Sequence, residues 1–156
     1  MRTIDRRHMR APASRVFAAA RDVERWPSLL PHYRWVRTLG TEGDAALVEM
    51  AAWRPFGPLK YPTWWRSLMW TDPAGRAIRY RHVAGVTRGM DVEWRLEPRG
   101  DETTVTIVHE WAGPAWPVIR RPAAEWVIGP LFIHGIASRT LAGIGRYVEL
   151  NEQREP

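Results

Sequence analysis

Met9-Arg10-Ala11-Pro12-Ala13-Ser14-Arg15-Val16-Phe17 and, a few residues on, Asp22-Val23-Glu24-Arg25-Trp26-Pro27-Ser28-Leu29-Leu30-Pro31-His32-Tyr33 decide how the rest of this chain is read. A proline in a first helical turn loses no hydrogen bond, so Pro12 can open a helix. Val16, Phe17 and Ala20 give that helix one apolar face. Asp22 is a residue type that caps a helix start, and Trp26, Leu29 and Leu30 give a second short helix its apolar side. Pro31 ends it. Upstream, residues 2–10 alternate weakly and fit a strand.

Downstream the period changes to two. Residues 33–39, 45–53, 63–71, 76–83, 90–97 and 103–111 read as strands. Turn tetrads such as Asp72-Pro73-Ala74-Gly75 and Pro98-Arg99-Gly100-Asp101 separate several of them. Short strands at this spacing predict an antiparallel meander. Residues 124–150 then read as one helix of roughly 40 Å, with Val127, Leu131, His134, Leu141, Ile144 and Val148 on its buried stripe. Pro130 kinks that helix or marks its start. Gly135, Gly143 and Gly145 weaken it locally and leave room for close packing. The expected class is α+β, a curved antiparallel sheet wrapped around the last helix, with two short helices after the first strand.

The 156 residues suit a single domain, 1–156, with a core of its own. Ten tryptophans are far above the usual number, and of the 23 basic residues only Lys60 is lysine. A formal net charge of +6 permits contact with anionic surfaces. The arginines are scattered, and no nucleic-acid motif appears, so nucleic acid is not an expected partner. With no cysteine, disulfides and thiolate metal sites are excluded. The candidate histidines come from separate elements and lack the local spacing of a metal site, so neither metal nor other cofactor is expected. The first ten residues are charged, without the apolar stretch of a signal peptide. Residues 126–138, the longest uncharged run near the C-terminus, fall well short of the ~20 apolar residues that span a bilayer. A soluble, cytoplasmic protein is expected.

Strand parity selects the candidate site residues, because side chains alternate between faces. Met90, Val92, Trp94 and Leu96 share a face opposite Asp91, Glu93, Arg95 and Glu97. Val105, Ile107, His109 and Trp111 share another, and Ile78, Tyr80 and His82 a third, opposite Arg79 and Arg81. His109, His82 and Tyr80 therefore project to the apolar side of the sheet, and His134 faces it from the helix. Each histidine reads either as a core imidazole or as a ligand-binding or proton-transferring group. Trp94 and Trp111 read equally as core or as cavity wall. In Trp64-Trp65-Arg66-Ser67-Leu68, parity leaves the face of Arg66 open. Residues 53–62 form a Pro/Gly-broken loop carrying Trp53, Phe56, Leu59 and Tyr61. It is either folded onto the sheet edge or a hydrophobic lid that touches an anionic membrane surface transiently, with Arg54 and Lys60 near the headgroups. Residues 116–121 would supply the opposite rim.

The strand, the Ala-Pro-x-x-x-Val-Phe helix, the Asp-Val-x-x-Trp-Pro helix, the six-strand meander and the long final helix resemble the START-like superfamily. Within it the chain is similar to the polyketide cyclase/dehydrase and coenzyme Q-binding branch. The resemblance implies a helix-grip fold with a cavity between sheet and helix. Members bind lipids, sterols, quinones or polyketides there, and a minority catalyse aldol cyclisation and dehydration. Two functions follow as expectations. The first is a carrier that holds a hydrophobic small molecule, with His82, Tyr80, Trp94, Trp111, His134, Trp64 and Phe56 around it. The alternative is a polyketide cyclase/dehydratase with His109 as general acid or base. Arg66, the nearest match to the arginine of aromatic-type cyclases, would then stabilise enolate charge. Those cyclases are expected to carry a carboxylate on the helix, where this chain offers His134.

Overall fold

The computed structural model describes residues 1–56, 58–113 and 133–154. In chain order the described elements are β1 (Arg2–Met9), α1 (Ala13–Arg21), a 3-10 turn (Val23–Arg25), α2 (Trp26–Leu29), β2 (Tyr33–Glu42), β3 (Ala45–Phe56), β4 (Leu59–Asp72), β5 (Ala77–Gly85), β6 (Asp91–Arg99), β7 (Glu102–Glu110) and α3 (His134–Glu152). All seven strands form one antiparallel sheet in the order β1-β7-β6-β5-β4-β3-β2. β2 to β7 follow one another as hairpins, whereas β1 pairs with β7, from Arg2 opposite Glu110 to Met9 opposite Thr103. The chain between β1 and β2 must therefore cross from one sheet margin to the other. α1 and α2 make that crossing, packing on the concave side against β6, β7 and β2. α3 lies across the same side.

The opening motif explains itself in this frame. Pro12 precedes α1 and accepts from the N–H groups of Arg15 and Val16. Val16, Phe17 and Ala20 are buried as expected. Asp22 makes no side-chain capping bond and sits instead 3.9 Å from Arg25. The second helix is correspondingly short, a 3-10 turn followed by one α-turn. Trp26 is its anchor: the indole is buried, donates to the Ala19 carbonyl at 3.2 Å, and meets Tyr33 edge-on at 5.3 Å and Trp94 at 5.7 Å.

Alternation holds where it was complete in the sequence. Met90, Val92, Trp94 and Leu96 are all buried, with α3 contributing Ala137, Leu141, Ile144 and Val148 to the same core. Fully burying an aliphatic side chain of this kind is worth about 1.5–3 kcal/mol. Helix and α2 come very close at one point. A Cβ on Gly143 would stand 2.1 Å from Leu30 Cδ2, so any larger residue would force the buried Leu30 side chain to shift.

The β3–β4 hairpin departs from expectation. Residues 53–56 and 59–62 are not a loop: they prolong both strands, pairing as far as Phe56 opposite Leu59. Past Ala52 and Trp65 the two strands have no other strand beside them among the described residues, so the missing N–H of Pro55 or Pro62 can face outward without breaking a ladder. β4 and β5 slip in register between Arg66, opposite Ala84, and Ser67, opposite His82; Gly85 stands opposite Trp65 just beyond the slip. Gly85 has φ +93°, and a Cβ there would stand 2.4 Å from the Trp64 carbonyl oxygen, which explains the glycine. β2, the strand at one margin, is itself irregular at Tyr33/Trp35 and at Thr38/Gly40.

Candidate functional site

Sheet and helix do not meet everywhere. Between them lies a cavity of about 70 Å³. Tyr80, His82, Trp94 and His109 line it from the sheet, Trp26 and Tyr33 from the chain entering β2, and Ile136, Ala137 and Thr140 from α3. The walls are mainly apolar, with a few polar atoms placed among them.

The polar atoms define its chemistry. His109 is buried on β7, and its Nδ1 lies 3.3 Å from Thr3 Oγ1 on the neighbouring β1. His82 on β5 lies with Nδ1 2.6 Å from Thr87 Oγ1, its ring stacked on Trp65 at 6.0 Å and 14°. Each imidazole thus uses Nδ1 on a threonine, and its Nε2 has no hydrogen-bond partner among the described residues. Burial pushes His109 down to about 4. Burial, with the nearby His109, pushes His82 down to about 3. Both rings are neutral at physiological pH, each with one donor and one acceptor nitrogen. The Tyr80 hydroxyl is buried and has no hydrogen-bond partner among the described residues; burial and the nearby Tyr33 raise its pKa, keeping it protonated. Thr140 Oγ1 donates to the Ile136 carbonyl at 2.8 Å and lies 3.4 Å from the Tyr33 hydroxyl.

Of the residues expected at the site, His109, His82, Tyr80 and Trp94 line the cavity. Four do not. Arg66 points to the outer face, where its Nε donates to Glu49 at 2.8 Å, directly opposite in the β3–β4 register. Trp64 shares that outer face and is exposed, with the Arg66 guanidinium 5.7 Å from its ring; Trp65 is the indole turned inward. Trp111 is buried but donates to the Arg88 carbonyl at 3.0 Å, away from the cavity lining. His134 is largely exposed at the start of α3 and is bonded through Nδ1 to buried Asp5 on β1. Burial raises the Asp5 carboxyl and His134 opposes that rise. Helix phase accounts for the error: Ile133, not His134, is the buried neighbour of Ala137. The Phe56 side chain and residues 116–121 lie outside the described residues. Among the described residues no group of three His, Asp or Glu could hold a metal, and no helix is long and apolar enough to cross a membrane.

Trp26, Tyr33, Trp65 and Thr140 were missed. Trp26 and Tyr33 belong to the opening motif, which sequence reading treated as fold punctuation. Trp65 carried a usable signal, since an inward Trp65 sets Ser67 and Met69 inward and leaves Arg66 opposite Glu49.

A family model described as polyketide cyclase/dehydrase and lipid transport matches residues 9–131. The chain belongs to that family. Solved structures give this family member its fold relatives. It is similar to TTHA0849 from Thermus thermophilus at 18% identity and TM-score 0.80, covering 97% of this chain and 99% of that one. It is similar to the Zhui aromatase/cyclase from Streptomyces sp. R1128 at 20% identity and TM-score 0.71, covering 94% and 95%. A START superfamily protein from Mycobacterium smegmatis aligns at 14% identity and TM-score 0.68, covering 96% and 98%. These likenesses establish the helix-grip fold of the START-like superfamily. No curated protein sequence matches the chain.

Proposed function

We propose that this family member is a carrier that binds a hydrophobic, oxygen-bearing small molecule, such as a lipid, quinone or polyketide-like compound, between sheet and α3. The observation that carries this reading is the Tyr80 hydroxyl, buried and unpartnered beside two neutral imidazoles whose Nε2 atoms are open. Buried polar groups are normally satisfied; a ligand carbonyl or hydroxyl would satisfy the Tyr80 hydroxyl and lie within reach of the open imidazole nitrogens. At about 70 Å³ the cavity is well below the ~300–1,000 Å³ of sites that enclose drug-sized ligands, so binding must part its walls. The helical walls, α3 and Trp26 of α2, are not tied to the sheet by a backbone ladder.

The cyclase reading receives less support. The cation expected to stabilise enolate charge in a cyclase, Arg66, is engaged with Glu49 on the outer face. No arginine or lysine lines the cavity among the described residues.

The test is mass spectrometry of the protein after gentle purification, first native and then denatured, with menadione quenching of tryptophan fluorescence alongside. A stoichiometric small molecule released unchanged, and retained at reduced occupancy by His109→Ala, is the expected result. An empty protein whose fluorescence menadione does not quench would overturn the reading. Turnover abolished by His109→Ala with binding intact would replace the carrier with the cyclase.

A further inference from the structure

Behind Thr140 lies a second recess, open to solvent, with about 420 Å³ of free space. It is bounded by the chain following α2, the β3–β4 hairpin and the outer flank of α3. Leu30, Trp53 and Leu59 give it an apolar side, while Lys60, Arg139 and Arg146 supply charge. No acidic residue lines it among the described residues. On the outer face of the sheet Arg66–Glu49, Arg79–Glu93 and Arg81–Asp91 are matched pairs, whereas Arg34 and Arg37 on β2 lie over tryptophan rings. Lys60, Arg139 and Arg146 make no ion pair among the described residues.

We propose that this groove is a binding site for a phosphate-type anion. Arg139 and Arg146 stand two turns apart on one side of α3, about 10 Å along its axis, and Lys60 approaches from the hairpin. Three unmatched cations around one recess repel one another, and a dianion relieves that repulsion at all three. The planar guanidinium forks suit phosphate oxygens, and the single lysine adds a mobile point charge. His32, which also lines the groove, already registers this field: burial first, then the Arg139 charge, pushes it down to about 4. Its Nε2 lies 3.0 Å from Thr140 Oγ1, and Thr140 lines the inner cavity. The anion site therefore sits one hydrogen bond outside the cavity, beside apolar residues that would accept the alkyl chain of an amphiphile. Every group the anion would touch belongs to the groove, so the site does not depend on what the cavity holds.

Calorimetric titration of the full chain with hexyl phosphate and with inorganic phosphate tests this. Saturable one-site binding of hexyl phosphate is expected, with affinity reduced at least about tenfold in R139Q/R146Q. R21Q/R99Q, which removes the same net charge at exposed sites elsewhere, should stay within about twofold. Binding should also raise the His32 imidazole pKa in the wild type, read by NMR, because the anion cancels the Arg139 field. Hexyl phosphate binding about tenfold tighter than inorganic phosphate would identify an amphiphile head group as the source. Equal affinities would identify a free phosphate group; both keep the site. No saturable binding, or equal loss in the two double variants, would overturn it.

Discussion

A buried hydroxyl with no partner is held at a cost of about 1–3 kcal/mol, and Tyr80 is such a group. Tyr80→Phe should therefore raise the stability of the ligand-free protein by about 1 kcal/mol while weakening menadione binding about fivefold or more. Thermal melts and quenching titrations on the same sample read both; a lowered melting temperature would mean that the hydroxyl already has a partner. The histidines make a second prediction. His32, His82 and His109 all lie below the usual value of 6.5 in the folded protein. Between pH ~6.5 and ~4 the unfolded chain binds more protons than the folded one, so stability falls as pH falls. Each fully shifted imidazole steepens that fall by about 1.4 kcal/mol per pH unit. Asp5, raised by burial, acts in the opposite sense within the carboxylate range. Urea midpoints from pH 7 to 4.5 should drop steeply in the wild type and less steeply in His109→Gln; a flat wild-type profile would refute the neutral imidazoles. At this scale, legibility followed alternation. On β6 each apolar residue is followed by a charged one, so the inward set is unambiguous. On β4 two tryptophans are adjacent, and hydrophobicity alone cannot choose between Trp64 and Trp65.

Elements were legible in existence and order, and less so in phase and extent. All seven strands lie where the two-residue period and the turns put them, but the β3–β4 hairpin runs on through its prolines because its end has no further strand beside it among the described residues. The stripe of α3 was placed one residue, about 100°, out of phase at its start. Counting large apolar side chains overlooks Ala137 and Thr140, which are both buried there. Two glycines of this helix now separate. Among the described residues nothing stands within 4 Å of a Cβ on Gly135, whereas one on Gly143 would collide with Leu30. Gly135→Ala should add about 0.5–1 kcal/mol of stability. Gly143→Ala should lose about 1 kcal/mol net, the overpacking outweighing the helix gain. Chemical denaturation of the pair checks the contrast, and equal effects of one sign would show that α2 and α3 are not packed this closely.

For the molecule as a whole, the cavity is a gap in the core, so filling it tests what it is for. Ala137→Leu adds side-chain volume comparable to the gap and should change stability by less than about 1.5 kcal/mol while abolishing menadione quenching. Quenching that survives would place the ligand elsewhere. The open sheet has a further consequence. Among the described residues its order leaves β1 and β2 each with one unpaired ladder of backbone N–H and C=O groups, and such margins invite identical chains to add strand upon strand. Neither margin here is a flat template. The ladder of β2 is broken twice and its strand carries Arg34 and Arg37; β1 carries Arg2, Arg6 and Arg7. Two approaching copies would bring arginines of both borders together, so part of the arginine content that looks incidental in the composition falls where it opposes polymerisation.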